Sequence, residues 1–106
     1  MLTNNGPSNG QQPERRDREV RVDLGRVCAT PGALATVDVA TLTASLHRHA
    51  AGDWGDLDAA DKVENDRALV HGGRFVSSFL ARDGTKFWII TEADRSATTV
   101  LLPEEY

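Results

Sequence analysis

Residues 52 to 66, GDWGDLDAADKVEND, carry five aspartates and one glutamate beside a single lysine. Clustered carboxylates serve two chemistries: they supply oxygen ligands to a hard cation, or they form a hydrated negative surface for a cationic partner. A calcium loop asks for acidic or amide side chains at alternate positions, with glycine at the sixth. Counting from Asp56, the chain offers Asp58, then Ala60 and Asp61, so the order breaks and no metal site is expected. The negative surface remains, with Asp53, Trp54, Asp56, Asp58, Asp61 and Glu64 as the expected partner-binding residues. Asp56, Asp58, Asp61 and Glu64 are expected outermost, whereas Trp54 reads first as an anchor that packs the loop onto the body. The same acids also suit the first turn of a helix, where the backbone dipole favours negative charge.

A second constellation lies in TEADRSATT, residues 91 to 99. A carboxylate beside a guanidinium is raw material for acid and base work, so Glu92, Asp94 and Arg95 form an alternative polar site. The plainer reading is a hydrogen-bonded turn built on Asp94 and Ser96, with Arg95 paired to Glu92 or Asp66. His47 and His49 are two apart on an expected helix, so they point in different directions and cannot share a metal. His71 falls at the end of the next helix, where a cation complements the dipole, and structural roles are expected for all three. Cys28 has no basic neighbour but Arg26 and reads as a buried apolar thiol. Ser77, Ser78 and Ser96 lack a nucleophile-elbow context, and no glycine-rich phosphate loop is present. No catalytic residue and no cofactor is expected.

The surrounding chain narrows the field further. Its 106 residues, 40% hydrophobic and 26% charged, suffice for one small core. No apolar run reaches the roughly 18 residues of a membrane span, and MLTNNGPSNGQQ lacks the basic and apolar regions of a secretory signal. With one cysteine, the chain fits a reducing cytoplasm. The net charge is -4, and it is unevenly spread. Removing Glu14, Asp17, Arg15, Arg16 and Arg18 from the totals of 16 acids and 12 bases leaves 14 against 9 in residues 19 to 106. An acidic body repels nucleic acid and favours a protein partner with a basic surface.

The elements that must position these groups follow from spacing. Residues 1 to 18 are too polar to repay ordering and read as a disordered tail, with Arg15, Arg16 and Arg18 as its solvated basic run. A strand is expected over EVRVDLGRV, where Val20, Val22 and Leu24 alternate with charge, ending at Thr30-Pro31-Gly32. Val39, Leu42, Leu46 and His49 or Ala50 form a helical stripe behind Asp38 as N-cap. Asp58 opens another helix that closes at Gly72-Gly73, with Ala59, Val63, Asp66 and Val70 on one side. From Arg74 the pattern becomes a three-stranded antiparallel meander. Its first hairpin turns at Asp83-Gly84 as a two-residue loop and its second near Ala93 to Ser96, before Pro103. That register puts Val76, Leu80, Phe87 and Ile89 on one face, and Phe75, Phe79, Trp88 and Ile90 on the other. Both faces are apolar, so one needs cover from the second helix and the N-terminal strand, a second copy or a partner. The fold class is α+β: one domain at 19 to 106 with an N-terminal strand, two or three short helices and the C-terminal meander.

The stretches LGRVCATPGAL (24 to 34), GDWGDLDAADKVEN (52 to 65) and DGTKFWIITEADRSATTVLLPEEY (83 to 106) resemble a family of small, uncharacterised bacterial proteins. Its members are found on chromosomes and on plasmids and other mobile elements. The resemblance implies a cytoplasmic bacterial protein, often in a mobile-element setting, and attaches no catalytic residue to any position. Residues and resemblance together lead to the expectation of a small acidic, non-enzymatic interaction domain that meets a basic patch. A toxin-like or hydrolytic enzyme using Glu92, Asp94 and Arg95 is the alternative, and a homodimeric structural or regulatory protein is the third reading.

Overall fold

In a computed structural model, residues 22 to 106 are described. The expected tail at 1 to 18, with Arg15, Arg16 and Arg18, and positions 19 to 21 of the expected domain lie outside the described residues. Strand β1 spans Arg26–Ala29, later than the alternation of Val20, Val22 and Leu24 suggests. Val22 instead donates its N–H to the Ala50 carbonyl at 2.9 Å and packs beside Trp54 and Phe75. Gly25 then redirects the chain at a φ of 63°. A side chain is excluded there, because a Cβ would lie 2.4 Å from the Ser96 carbonyl oxygen.

Three helices follow, each opened by a side-chain cap: α1 (Pro31–Thr36), α2 (Val39–Ala50) and α3 (Ala59–His71). The Thr30 hydroxyl accepts from Ala33 N, Asp38 from Thr41 N, and Asp58 from Asp61 N at 2.9 Å, each satisfying an otherwise orphaned donor. The stripe on α2 holds for Leu42, Leu46 and His49, but Val39 in its first turn is 78% exposed. On α3 the expected stripe is overturned, since Val63 and Val70 are exposed and Asn65 and Ala68 are buried. That helix lies along the edge of the sheet, where its neighbour needs hydrogen bonds more than methyl groups.

The expected meander is present as β2 (Phe75–Leu80), β3 (Lys86–Thr91) and β4 (Ala97–Leu101). Strand β1 extends it by pairing parallel to β4, which gives a four-stranded mixed sheet in the order β1-β4-β3-β2. A 3-10 turn, Pro103–Glu105, follows and brings the Glu105 carboxylate to Thr30, Gly32 N and Leu102 N. Its carboxyl is held below the ordinary glutamate value, chiefly by the Thr30 hydroxyl.

The first hairpin differs from expectation by one residue. Gly84 N donates to the Ala81 carbonyl and Ala81 N to that of Thr85, so the connection is Arg82, Asp83 and Gly84. Gly84 supplies the positive φ, 90°, and the Asp83 carboxylate accepts from Thr85 N. A type I turn followed by a left-handed glycine makes a three-residue loop, and a one-residue change of register exchanges faces. Phe79 therefore opposes Phe87, and Phe75, Ser77, Phe79, Phe87, Ile89 and Thr91 share one face. Thr98 and Val100 continue it on β4. Ala33 and Val37, with half-buried Leu42 and Leu46, close over Phe79, Phe87, Ile89 and Val100 from the helical side. Trp54 and Phe75 form a second cluster with Ala68. Burying each large side chain there is worth roughly 1.5–3 kcal/mol. Cys28 is exposed rather than buried, because β1 is the end strand of the sheet.

Candidate functional site

Strand β2 stands at the other end of the sheet, and an uncovered strand end invites unwanted pairing. Two segments satisfy it. The loop after α2 makes a parallel bridge through Gly55, with Ser78 N donating to the Trp54 carbonyl and Asp56 N to that of Ser78. Gly55 has a φ of 72°, and a Cβ there would stand 2.1 Å from the Ser78 carbonyl oxygen, so glycine alone permits the approach. Asn65 of α3 serves Val76 with both ends of its amide, donating to the carbonyl at 2.6 Å and accepting from the N–H at 3.2 Å. The acidic stretch is thereby locked beside the strand.

This packing sorts the expected partner-binding residues. Trp54 takes the anchor role rather than a place on the partner-binding surface: it is 4% exposed, packs on His49 and Phe75, and gives its indole N–H to Asp66 at 3.0 Å. Asp66 therefore pairs with that indole, where an arginine was expected. Asp53 is exposed but paired with the molecule's own Arg48 at 2.7 Å, and this hydrogen bond holds its carboxyl below the ordinary value. The same guanidinium lies over the Phe79 ring, 4.6 Å from its centre. Asp58 is exposed but engaged as the α3 cap. Asp56, Asp61 and Glu64 are exposed, and of these Glu64 alone has a cation near it among the described residues, Arg67 at 3.8 Å. Such a surface pair is weak.

Asp61 and Glu64 border a groove that sequence reasoning missed. Its floor is the second face of the sheet, with half-buried Val76 and Trp88 and buried Ile90. Leu57 and Asn65 complete the α3 side, and Tyr106 forms the opposite wall, edge-on to Trp88 at 5.9 Å. Arg74 donates to the Tyr106 hydroxyl at that wall. The groove encloses about 310 Å³ and is mainly apolar, with two carboxylates on its rim. The corrected hairpin register is the signal that would have placed Val76, Trp88 and Ile90 side by side.

The alternative polar site is dispersed. Arg95, at a φ of 64°, sends its guanidinium to the carbonyls of Gly73 at 2.7 Å, Ala93 at 2.9 Å, Ala68 and Glu92 at 3.2 Å, and lies over the Phe75 ring. It thus clamps the end of α3. Asp94 accepts from Ser96 N within the turn, and Glu92 is exposed. His47 and His71 are exposed on separate helices. Among the described residues, no three of the His, Cys, Asp and Glu side chains are grouped to hold a metal.

His49 takes the structural role expected of it on the α2 stripe, with hydroxyl partners that its spacing does not report. It is fully buried, with Nδ1 2.6 Å from the Ser77 hydroxyl and Nε2 2.8 Å from that of Thr91. Burial lowers its pKa to about 4, so the ring is neutral near pH 7. The proton positions follow from counting donors. Thr98 donates to the Leu24 carbonyl and so accepts from Thr91, which therefore accepts from His49 Nε2–H and leaves Nδ1 to accept from Ser77. Ser77 is also fully buried, so this serine and histidine pair offers no surface to a substrate.

No family model matches the chain, and no curated protein or solved structure shows a significant similarity to it. Among the described residues, no helix is long and apolar enough to cross a membrane.

Proposed function

We propose that the chain is a small, non-enzymatic interaction domain whose acidic surface beside α3 meets a basic patch on a protein partner. The observation that carries this reading is that Asp56, Asp61 and Glu64 stay exposed, while Asp53 is drawn onto the molecule's own arginine. Hydrated carboxylates raise the encounter rate with a cationic surface and repel nucleic acid. The resemblance to small bacterial proteins of chromosomes and mobile elements supports a cytoplasmic setting. A protein of such origin that presents acids is suited to occupy a surface meant for nucleic acid on another macromolecule. The enzyme reading loses support because the Arg95 guanidinium is committed to backbone carbonyls.

Affinity capture from the native host tests the proposal, using the wild-type chain and the triple variant Asp56→Asn, Asp61→Asn, Glu64→Gln. Asp58 is left intact because it caps α3. A captured protein that is released by moderate salt and missing from the variant's eluate is expected. An identical set of proteins on both baits would contradict the reading.

A further inference from the structure

The groove under Tyr106 indicates more than a charged surface. Its floor presents Val76 and Trp88, half-buried and on the less covered face of the sheet, and its rim carries Asp61 and Glu64 one helical turn apart. Its volume of about 310 Å³ is at the small end of ligand pockets, enough for one large side chain with its flanking backbone. The neighbouring depression, which shares Glu64 with the rim, is lined by Arg67, His71 and Arg74, so the surface next to the groove is more basic than the Asp61 end. An anion is disfavoured at the Asp61 end, and a purely apolar occupant would leave Asp61 without a cationic partner and Glu64 with only its weak surface contact to Arg67.

We propose that this groove receives a peptide segment of a partner protein, with one large aliphatic or aromatic side chain on the Trp88 floor and a lysine or arginine beside it at Asp61 and Glu64. The inference rests on the interaction reading above and specifies where and what that surface binds. Apolar contact supplies the anchor, and the rim charges select segments in which a cation stands within one or two residues of it. Arg74 donates to the Tyr106 hydroxyl and lies 5.6 Å from the centre of its ring, beside the groove.

The test uses the full chain and a random dodecapeptide phage library as the probe, followed by amide and indole NMR titration of the most enriched peptide. Enrichment of a large apolar residue next to Lys or Arg is expected, with shifts centred on Val76, Trp88 and Ile90. Asp61→Asn with Glu64→Gln should weaken that peptide about tenfold, and Tyr106→Ala about threefold or more. Basic peptides without an apolar preference, lost in Asp56→Asn but indifferent to Tyr106→Ala, would overturn the groove and leave the acidic-surface reading standing. Peptides with no basic preference would overturn both. Groove signals that move on dilution of the protein alone would identify a second copy as the occupant and overturn the proposal. So would signals that move when Arg15, Arg16 and Arg18 are replaced by serine with no peptide present.

Discussion

His49 Nδ1 accepts a hydrogen bond from the Ser77 hydroxyl at 2.6 Å, in a core where both side chains are sealed from solvent. That relationship ties α2 to β2, and Thr91 and Thr98 extend it across β3 and β4 to the Leu24 carbonyl. A second proton on the ring would remove the acceptor that Ser77 uses and place a charge among Trp54 and Phe75.

The fold is therefore acid-sensitive in a defined window. The native ring, with a pKa lowered to about 4 by burial, stays neutral where the unfolded ring, at 6.5, has taken a proton. Stability is full above the unfolded value and falls as pH drops from 6.5 toward 4, by on the order of 3 kcal/mol across the window. Urea unfolding between pH 7.5 and 5 should show this decline, and His49→Gln should be less stable at pH 7.5 with a flatter slope. Parallel slopes for the two proteins would show that His49 does not carry the effect.

Arg95 is expected to be a stability residue. Arg95→Ala removes a charged donor from the carbonyls at the end of α3, a loss of about 2 to 3 kcal/mol. Arg95→Gly loses the same bonds but adopts the φ of 64° without a Cβ, and should be less destabilised than Arg95→Ala by about 1 kcal/mol. Chemical denaturation measures both, and an Arg95→Ala protein as stable as wild type would contradict the clamp.

The two motifs that stood out in the sequence proved to be dense because of what they hold together. In GDWGDLD, Asp53 binds Arg48, Trp54 anchors, Gly55 admits the strand and Asp58 caps α3, which leaves Asp56 exposed and Leu57 beside the groove. The helix caps and the meander were legible because they depend on local chemistry: Asp38, Asp58 and Gly72 act within a few residues. The groove was not, because it depends on register. Asp83-Gly84 reads equally well as a two-residue loop or as the end of a three-residue one, and that choice decides which side Trp88 faces. The polar α3 face misled for a related reason: Asn65 is buried for its amide, which no apolar periodicity reports.

Asn65 accordingly guards an edge. Asn65→Ala strips both partners from Val76 and should cost about 1–3 kcal/mol, with faster amide exchange at Val76. Asn65→Asp keeps an acceptor for the Val76 N–H but turns a second oxygen toward its carbonyl, so protection should not be restored. Wild-type exchange at Val76 in Asn65→Ala would show that the edge is covered by other means.

Whether the exposed carboxylates beside α3 recruit a cationic partner is decided by calorimetric titration of the captured partner. The wild-type chain is compared with the Asp56→Asn, Asp61→Asn, Glu64→Gln variant at two salt concentrations. Affinity at least about tenfold weaker in the variant and a shallower dependence on salt are expected. Equal affinity and equal salt dependence for the two proteins would contradict it.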